Sequence, residues 1–115
     1  MSQPPALQAQ ALALDWLMPW QPLTRERAER CERALPRELT AGHPLAGRVV
    51  RAIAARVDCD DVLYWVGDPE ELAVVRLRHK PARTLDAVGC MRFTSVAEFV
   101  QACLEPDHLE FTEAD

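Results

Sequence analysis

The stretch Asp60-Asp-Val-Leu-Tyr-Trp-Val-Gly-Asp-Pro-Glu-Glu-Leu-Ala-Val-Val-Arg-Leu-Arg-His79 decides how this chain folds. Two apolar runs, residues 62–66 and 72–77, flank the turn Gly67-Asp-Pro-Glu-Glu71, and β-branched and aromatic side chains dominate both. That pattern predicts a β-hairpin whose turn is supplied by Asp68-Pro69. Residues 62–66 are apolar at every position, so this strand is expected to be central or covered on both faces. In the second strand Ala73, Val75 and Leu77 alternate with Val74, Arg76 and Arg78, predicting one buried face and one partly wet one.

Outward from the hairpin the periodicity changes to that of helices. Thr24 caps a helix over residues 24–35, with Glu26–Arg30 and Glu29–Arg33 in the favourable i,i+4 order and Pro36 as its end. A turn through Gly42 leads to His43-Pro-Leu45, where Pro44 suits the start of a second helix reaching about Val57. Its expected core face is Leu45, Val49, Val50, Ile53 and Val57, with Arg48, Arg51 and Arg56 outward. After the hairpin come a loop over residues 80–87 and a third strand over residues 88–93. Ser95-Val-Ala-Glu98 has the capping-box pattern and opens a last helix burying Val96, Phe99, Val100 and Cys103, which Pro106 stops. The expected fold class is α+β: a small antiparallel sheet of two or three strands, packed by helices on one face, in the order α-α-β-β-(β)-α.

The chain divides into an N-terminal arm (1–22), one α+β domain (23–111) and an acidic tail (112–115). In the arm, Leu7, Ala11, Leu14 and Met18 recur at helical spacing, and Trp16 and Trp20 share eight positions with Pro19 and Pro22. Those tryptophans either cap the core or form an exposed aromatic anchor for a partner.

Composition limits the function classes. A chain of 115 residues buries about 65% of its unfolded surface, enough for one core without metal or disulfide support. The net charge of −5 is divided unevenly, +3 over residues 1–57 and −8 over residues 58–115. Nucleic-acid binding through bulk charge is therefore not expected. The unlike halves could attract each other within one molecule or across a homodimer, a solvated acidic tail is the preferred reading, and a protein partner would be a basic one. Twelve of the 13 basic residues are Arg, beside 17 Ala, a bias of coding composition rather than of chemistry. Cys31, Cys59, Cys90 and Cys103 have neither zinc-ribbon nor disulfide-framework spacing and read as buried free thiols. No cationic segment precedes the Ala/Leu stretch at 6–14, so neither a secretory signal nor a membrane span is expected, and the cytoplasm is the expected compartment.

Two constellations could carry chemistry. Asp58, Asp60 and Asp61 surround Cys59 at a junction, where carboxylates either hold a hard cation or bond nearby backbone donors; the second reading is preferred, and no metal or cofactor is expected. His79 near Cys59 and Asp61 would form a thiol–imidazole–carboxylate set, but no glycine-rich turn supplies an oxyanion pocket.

The ordered elements His43-Pro-Leu45 with Gly47, Cys59-Asp-Asp-Val-Leu63, Ala73-Val-Val-x-Leu77 and Pro106-Asp-His108 resemble a group of small, uncharacterised bacterial cytosolic proteins over residues 36–111. Where that group continues Val-His-Leu-Thr-Trp, this chain reads Val75-Arg-Leu-Arg-His79. The resemblance implies an α+β fold and brings no activity or cofactor with it.

The first functional expectation is a non-enzymatic protein-binding module, such as an immunity protein that neutralises a toxin or a small acidic chaperone. The alternative is a small enzyme or ligand-binding protein with a strand-end pocket, in which Asp60, Asp61, His79, His43 and Arg76 converge on a wall containing Trp65. Self-association through the hairpin edge or the arm is compatible with either.

Overall fold

The computed structural model describes residues 6–77 and 90–113. The protein is α+β, built on a five-stranded antiparallel sheet in which spatial order follows chain order. The strands are β1 (Trp20–Pro22), β2 (Val50–Arg56), β3 (Asp61–Val66), β4 (Glu71–Arg76) and β5 (Cys90–Phe93). Helix α1 (Leu7–Leu12) precedes the sheet, and α2 (Arg25–Glu38) connects β1 to β2. The expected loop at 80–87 and the start of the third predicted strand lie outside the described residues.

The hairpin is β3–β4, with Asp61 opposite Arg76 and Val66 opposite Glu71. Its loop is therefore four residues, 67–70, and Glu71 belongs to the strand instead of the turn. Asp68 takes the left-handed conformation (φ 52°), which an Asp side chain tolerates better than most. Both hairpin strands have neighbours on each side, so the hairpin offers no free edge for self-association. Central placement explains the unbroken apolar run at 62–66. Leu63, Leu72, Val74 and Phe93 pack on one face. Val62, Tyr64, Val66, Ala73 and Val75 pack on the other.

Helices cover both faces, which corrects the one-face expectation. Ala11 of α1 and Phe99, Cys103 and Leu104 of the C-terminal helical segment cover the first face. Leu35 of α2 and Leu45 of the following loop, with Cys31 and Leu39, cover the second. Tyr64 donates its hydroxyl hydrogen to the Cys31 carbonyl at 2.8 Å and so ties α2 to the sheet.

The helix expected over 43–57 is a loop followed by strand β2. Ala52 and Ala55 face one core while Ile53 and Ala54 face the other, because the register shifts between Ala52 and Ala54. A β-bulge of this kind inserts one residue and breaks the period of two. Apolar residues then recur three apart on one face, the same spacing a helix uses. Of the arginines expected to point outward, Arg51 does; Arg48 and Arg56 are half-buried in ion pairs.

Neither proline ends its helix. α2 runs two residues beyond Pro36, and burial of Leu35 on the sheet works against an interior proline that costs about 3 kcal/mol. The C-terminal segment stays helical through α3 (Val96–Phe99), a π-helical turn (Val100–Leu104) and α4 (Glu105–Glu113). Pro106 stands just past the π turn, whose wider hydrogen-bond ladder accommodates a ring that would crowd the preceding carbonyls. Both N-caps form, Thr24 Oγ1 accepting from the Arg27 N–H and Ser95 Oγ from the Glu98 N–H, but the Glu98 carboxylate reaches back to Thr94 instead of closing the expected box on Ser95. The ion pair on α2 is Arg25–Glu29, not the two expected from spacing.

The arm is built into this body. Residues 20–22 pair with β2, and Trp20 is 1% exposed. Its indole meets the Phe99 ring edge-on at 5.3 Å, with Trp16 packed on Phe99 at 6.2 Å. The residues of the expected tail extend α4 as far as Glu113.

Candidate functional site

The strand-end region is occupied by ion pairs. Asp61 accepts from Arg76 Nε at 2.7 Å and Nη2 at 3.3 Å, a two-pronged pair across β3 and β4. Asp58 accepts from Arg56 Nε and Nη2, both at 2.8 Å, and this pairing holds its carboxyl below the usual range. Asp60 is exposed, and its carbonyl accepts the Leu77 N–H at 3.0 Å to close the end of the hairpin. A hollow of about 140 Å³ lies there, lined by Arg27, Cys31, Arg56, Cys59, Asp60 and Asp61 among others. Ligand pockets start at roughly 300 Å³, so this one is undersized.

The thiols around it are not activated. Burial pushes Cys31, Cys59 and Cys90 above the ordinary thiol value, and Cys103 to about 11. A nucleophilic cysteine needs the opposite shift. His79, the imidazole of the expected thiol–imidazole–carboxylate set, lies outside the described residues. No group of three or more His, Cys, Asp or Glu among the described residues could hold a metal ion.

The other candidates do not converge on Asp61. His43 sits in the loop after α2, where its Nδ1 accepts the Leu45 N–H at 3.1 Å. That bond requires an unprotonated Nδ1, and burial, with Arg92 nearby, lowers the imidazole pKa in the same direction. Trp65 lies near the hairpin loop, at the far end of β3 from Asp61. Its Nε1–H donates to Glu70 at 3.0 Å, and its ring covers Gly67, where a Cβ would come within 2.9 Å of the indole. Trp20 is buried, and Trp16 is half-buried beside it. Among the described candidates the geometry therefore unites Asp60 and Asp61, with Arg76 on Asp61.

Two arrangements were not anticipated. Glu71, almost fully buried, accepts from Arg48 Nη1 at 2.7 Å and from Arg92 Nε and Nη2. Hydrogen bonds from Arg92 and then Arg48 hold its carboxyl down at about 2, against the cost of burial. Arg48 also donates to the Gly67 and Pro69 carbonyls, clamping the hairpin loop. Strand alternation carried a signal for this: Glu71 shares a face with Ala73 and Val75, both buried.

The second arrangement joins the two chain termini. Asp107 Oδ2 accepts from Trp20 Nε1 at 2.8 Å and pairs with Arg56 Nη1 at 3.3 Å. His108 Nδ1–H donates to the Met18 carbonyl at 2.7 Å. These bonds fix α4 against residues 16–20, yet α4 has no fully buried side chain. Leu109 is 57% exposed and Phe111 38%, and Glu105, Glu110 and Glu113 share the helix with no Arg or Lys. Leu12, Leu17 and Met18 are exposed on the segment that leads into β1. An apolar surface with acidic neighbours results.

No helix among the described residues is long and apolar enough to cross a membrane. No family model matches the chain, and no curated protein or solved structure is significantly similar to it.

Proposed function

We propose that this chain is a non-enzymatic protein-binding module that presents α4 and residues 12–18 to a basic partner protein, as an immunity protein or acidic chaperone does. One observation carries the reading. Of the eight large apolar side chains exposed among the described residues, five (Leu12, Leu17, Met18, Leu109 and Phe111) lie on these two segments, which the His108–Met18 hydrogen bond joins. α4 continues a helical segment, residues 96–113, whose first half buries Phe99, Cys103 and Leu104 against the sheet. α4 instead leaves Leu109 and Phe111 to solvent. Apolar side chains ringed by polar ones match the anatomy of a binding interface. Glu105, Glu110 and Glu113 would steer a basic partner into contact.

Affinity capture from the native host tests this reading, comparing the wild-type chain with a Leu109→Asp, Phe111→Ser double variant of unchanged circular dichroism. Specific retention of one basic protein by the wild type, lost in the variant, is expected. Equal retention by both chains, or no retained partner, overturns the reading.

A further inference from the structure

The same acidic surface has a counterpart elsewhere on the molecule. Along the C-terminal half of α2, Glu32 turns inward to accept the Ala52 N–H at 3.0 Å, and Glu38 is buried. Glu29, one turn before Arg33, is engaged by Arg25. Arg30, Arg33 and Arg37 are thereby left exposed at i, i+3 and i+7, and none makes an ion pair among the described residues. Side chains so spaced share one side of a helix. At the C-terminal end of α2, Pro36 and Leu39 line a groove of about 310 Å³ walled by Leu35, Leu45 and Val50, with Arg48 at its rim. On α4, Glu105, Leu109 and Glu113 follow at i, i+4 and i+8, again one side of a helix, with Glu110 beside them. These three glutamates also make no ion pair among the described residues.

We infer that the occupant of this acidic surface is a second copy of the chain: α4 of one copy docks on α2 of the next, with Glu105, Glu110 and Glu113 against Arg30, Arg33 and Arg37 and Leu109 entering the groove at Pro36 and Leu39. The inference rests on the protein-binding reading, since it uses the same α4 surface and names what covers it. Charge complementarity between these two unpaired helix surfaces selects this occupant. α2 covers one face of the sheet, and the helical turns that lead into α4 (Phe99, Cys103 and Leu104) cover the other. The contact is therefore heterologous, head to tail, and propagates from copy to copy instead of closing as a twofold dimer. Exposed ion pairs are weak and screened by salt, so association is concentration-dependent and reversed at high ionic strength. A foreign basic partner would compete with the neighbouring copy.

Sedimentation velocity of the full chain tests this with two neutralised variants. One carries Arg30→Gln, Arg33→Gln and Arg37→Gln; the other carries Glu105→Gln, Glu110→Gln, Glu113→Gln and Leu109→Gln. Circular dichroism checks that both keep the wild-type fold. At low ionic strength the wild type is expected to form species that grow with concentration and disperse in salt. Each variant alone should be monomeric, and their equal mixture should stop at a 1:1 dimer, since each copy then retains one working surface. A wild type that stays monomeric, a mixture that stays monomeric, or a variant that still assembles overturns the inference. If the wild type stays monomeric while the α4 variant loses a captured basic protein, self-docking fails and the foreign-partner reading stands. The reverse pattern, assembly as described with no foreign protein retained, sinks the foreign-partner reading alone.

Discussion

The two ends of the β3–β4 hairpin each carry a carboxylate held by arginine, but the surroundings differ. At the open end Asp61, itself buried, meets one arginine, Arg76, whose side chain is 64% exposed. At the loop end Glu71, 7% exposed, meets two, and one of them also bonds two loop carbonyls. An exposed pair is screened by water and contributes little. A buried carboxylate that loses its partners, or buried partners that lose it, leaves an uncompensated charge. Both carboxylates are buried, so the burial of the arginine partners ranks the two ends: three aspartates crowd the end that matters less for stability.

Substitutions can break this ranking. Glu71→Ala strands Arg48 and opens the link between the loop after α2, the hairpin loop and β5; it should cost about 3–5 kcal/mol in urea unfolding. A loss near that for Asp61→Ala would refute it. Acid titration should show the same difference. The Glu71 carboxyl is lowered from 4.5 to about 2 in the folded chain, so its stabilisation is complete above pH 4.5 and disappears as the pH falls through about 2. Wild-type stability minus that of Glu71→Gln should shrink by on the order of 3 kcal/mol across that window. A constant difference would show that the carboxylate is not charged against its arginines.

The two arginines sharpen the comparison within one site. Arg48→Ala removes bonds to Glu71, Gly67 and Pro69 and should cost about 2–3 kcal/mol. Arg92, on the edge strand and half exposed, should cost clearly less than Arg48 when replaced by Ala. Equal losses would mean that the loop carbonyls contribute nothing. The smallest effect belongs to Asp61→Asn, at most about 1 kcal/mol and decreasing as salt is added. Thermal melts at two ionic strengths measure it.

Much of this architecture can be read from the residues, and the failures have identifiable physical causes. The hairpin was legible because both strands are central and local pattern, turn chemistry and burial agree. β2 was not, since its bulge at Ile53 imitates helical spacing. β1 is three residues long and exists only through pairing with β2, a partner 30 or more positions away. Pro36 and Pro106 mark helix ends by local rules, but tertiary burial and a π turn override both. In the candidate site, Asp58, Asp60 and Asp61 were conspicuous and turned out to be largely paired or exposed. Glu71 escaped notice because a glutamate after Asp-Pro-Glu looks like turn chemistry until the strand register is known. The roles of Asp107 and His108 depend on contacts with residues 18, 20 and 56, and no short window can reveal those.

The π turn at Val100–Leu104 sets the rotational phase of all that follows it. Each helical residue advances the direction of its side chain by about 100°, and the wider turn holds one more residue than a regular one. Excising a single residue there would leave composition and charge almost untouched yet swivel the last nine-residue helix about its axis. Asp107 would then point away from the indole of Trp20 and the guanidinium of Arg56, and the molecule's outermost side chains would face a new direction.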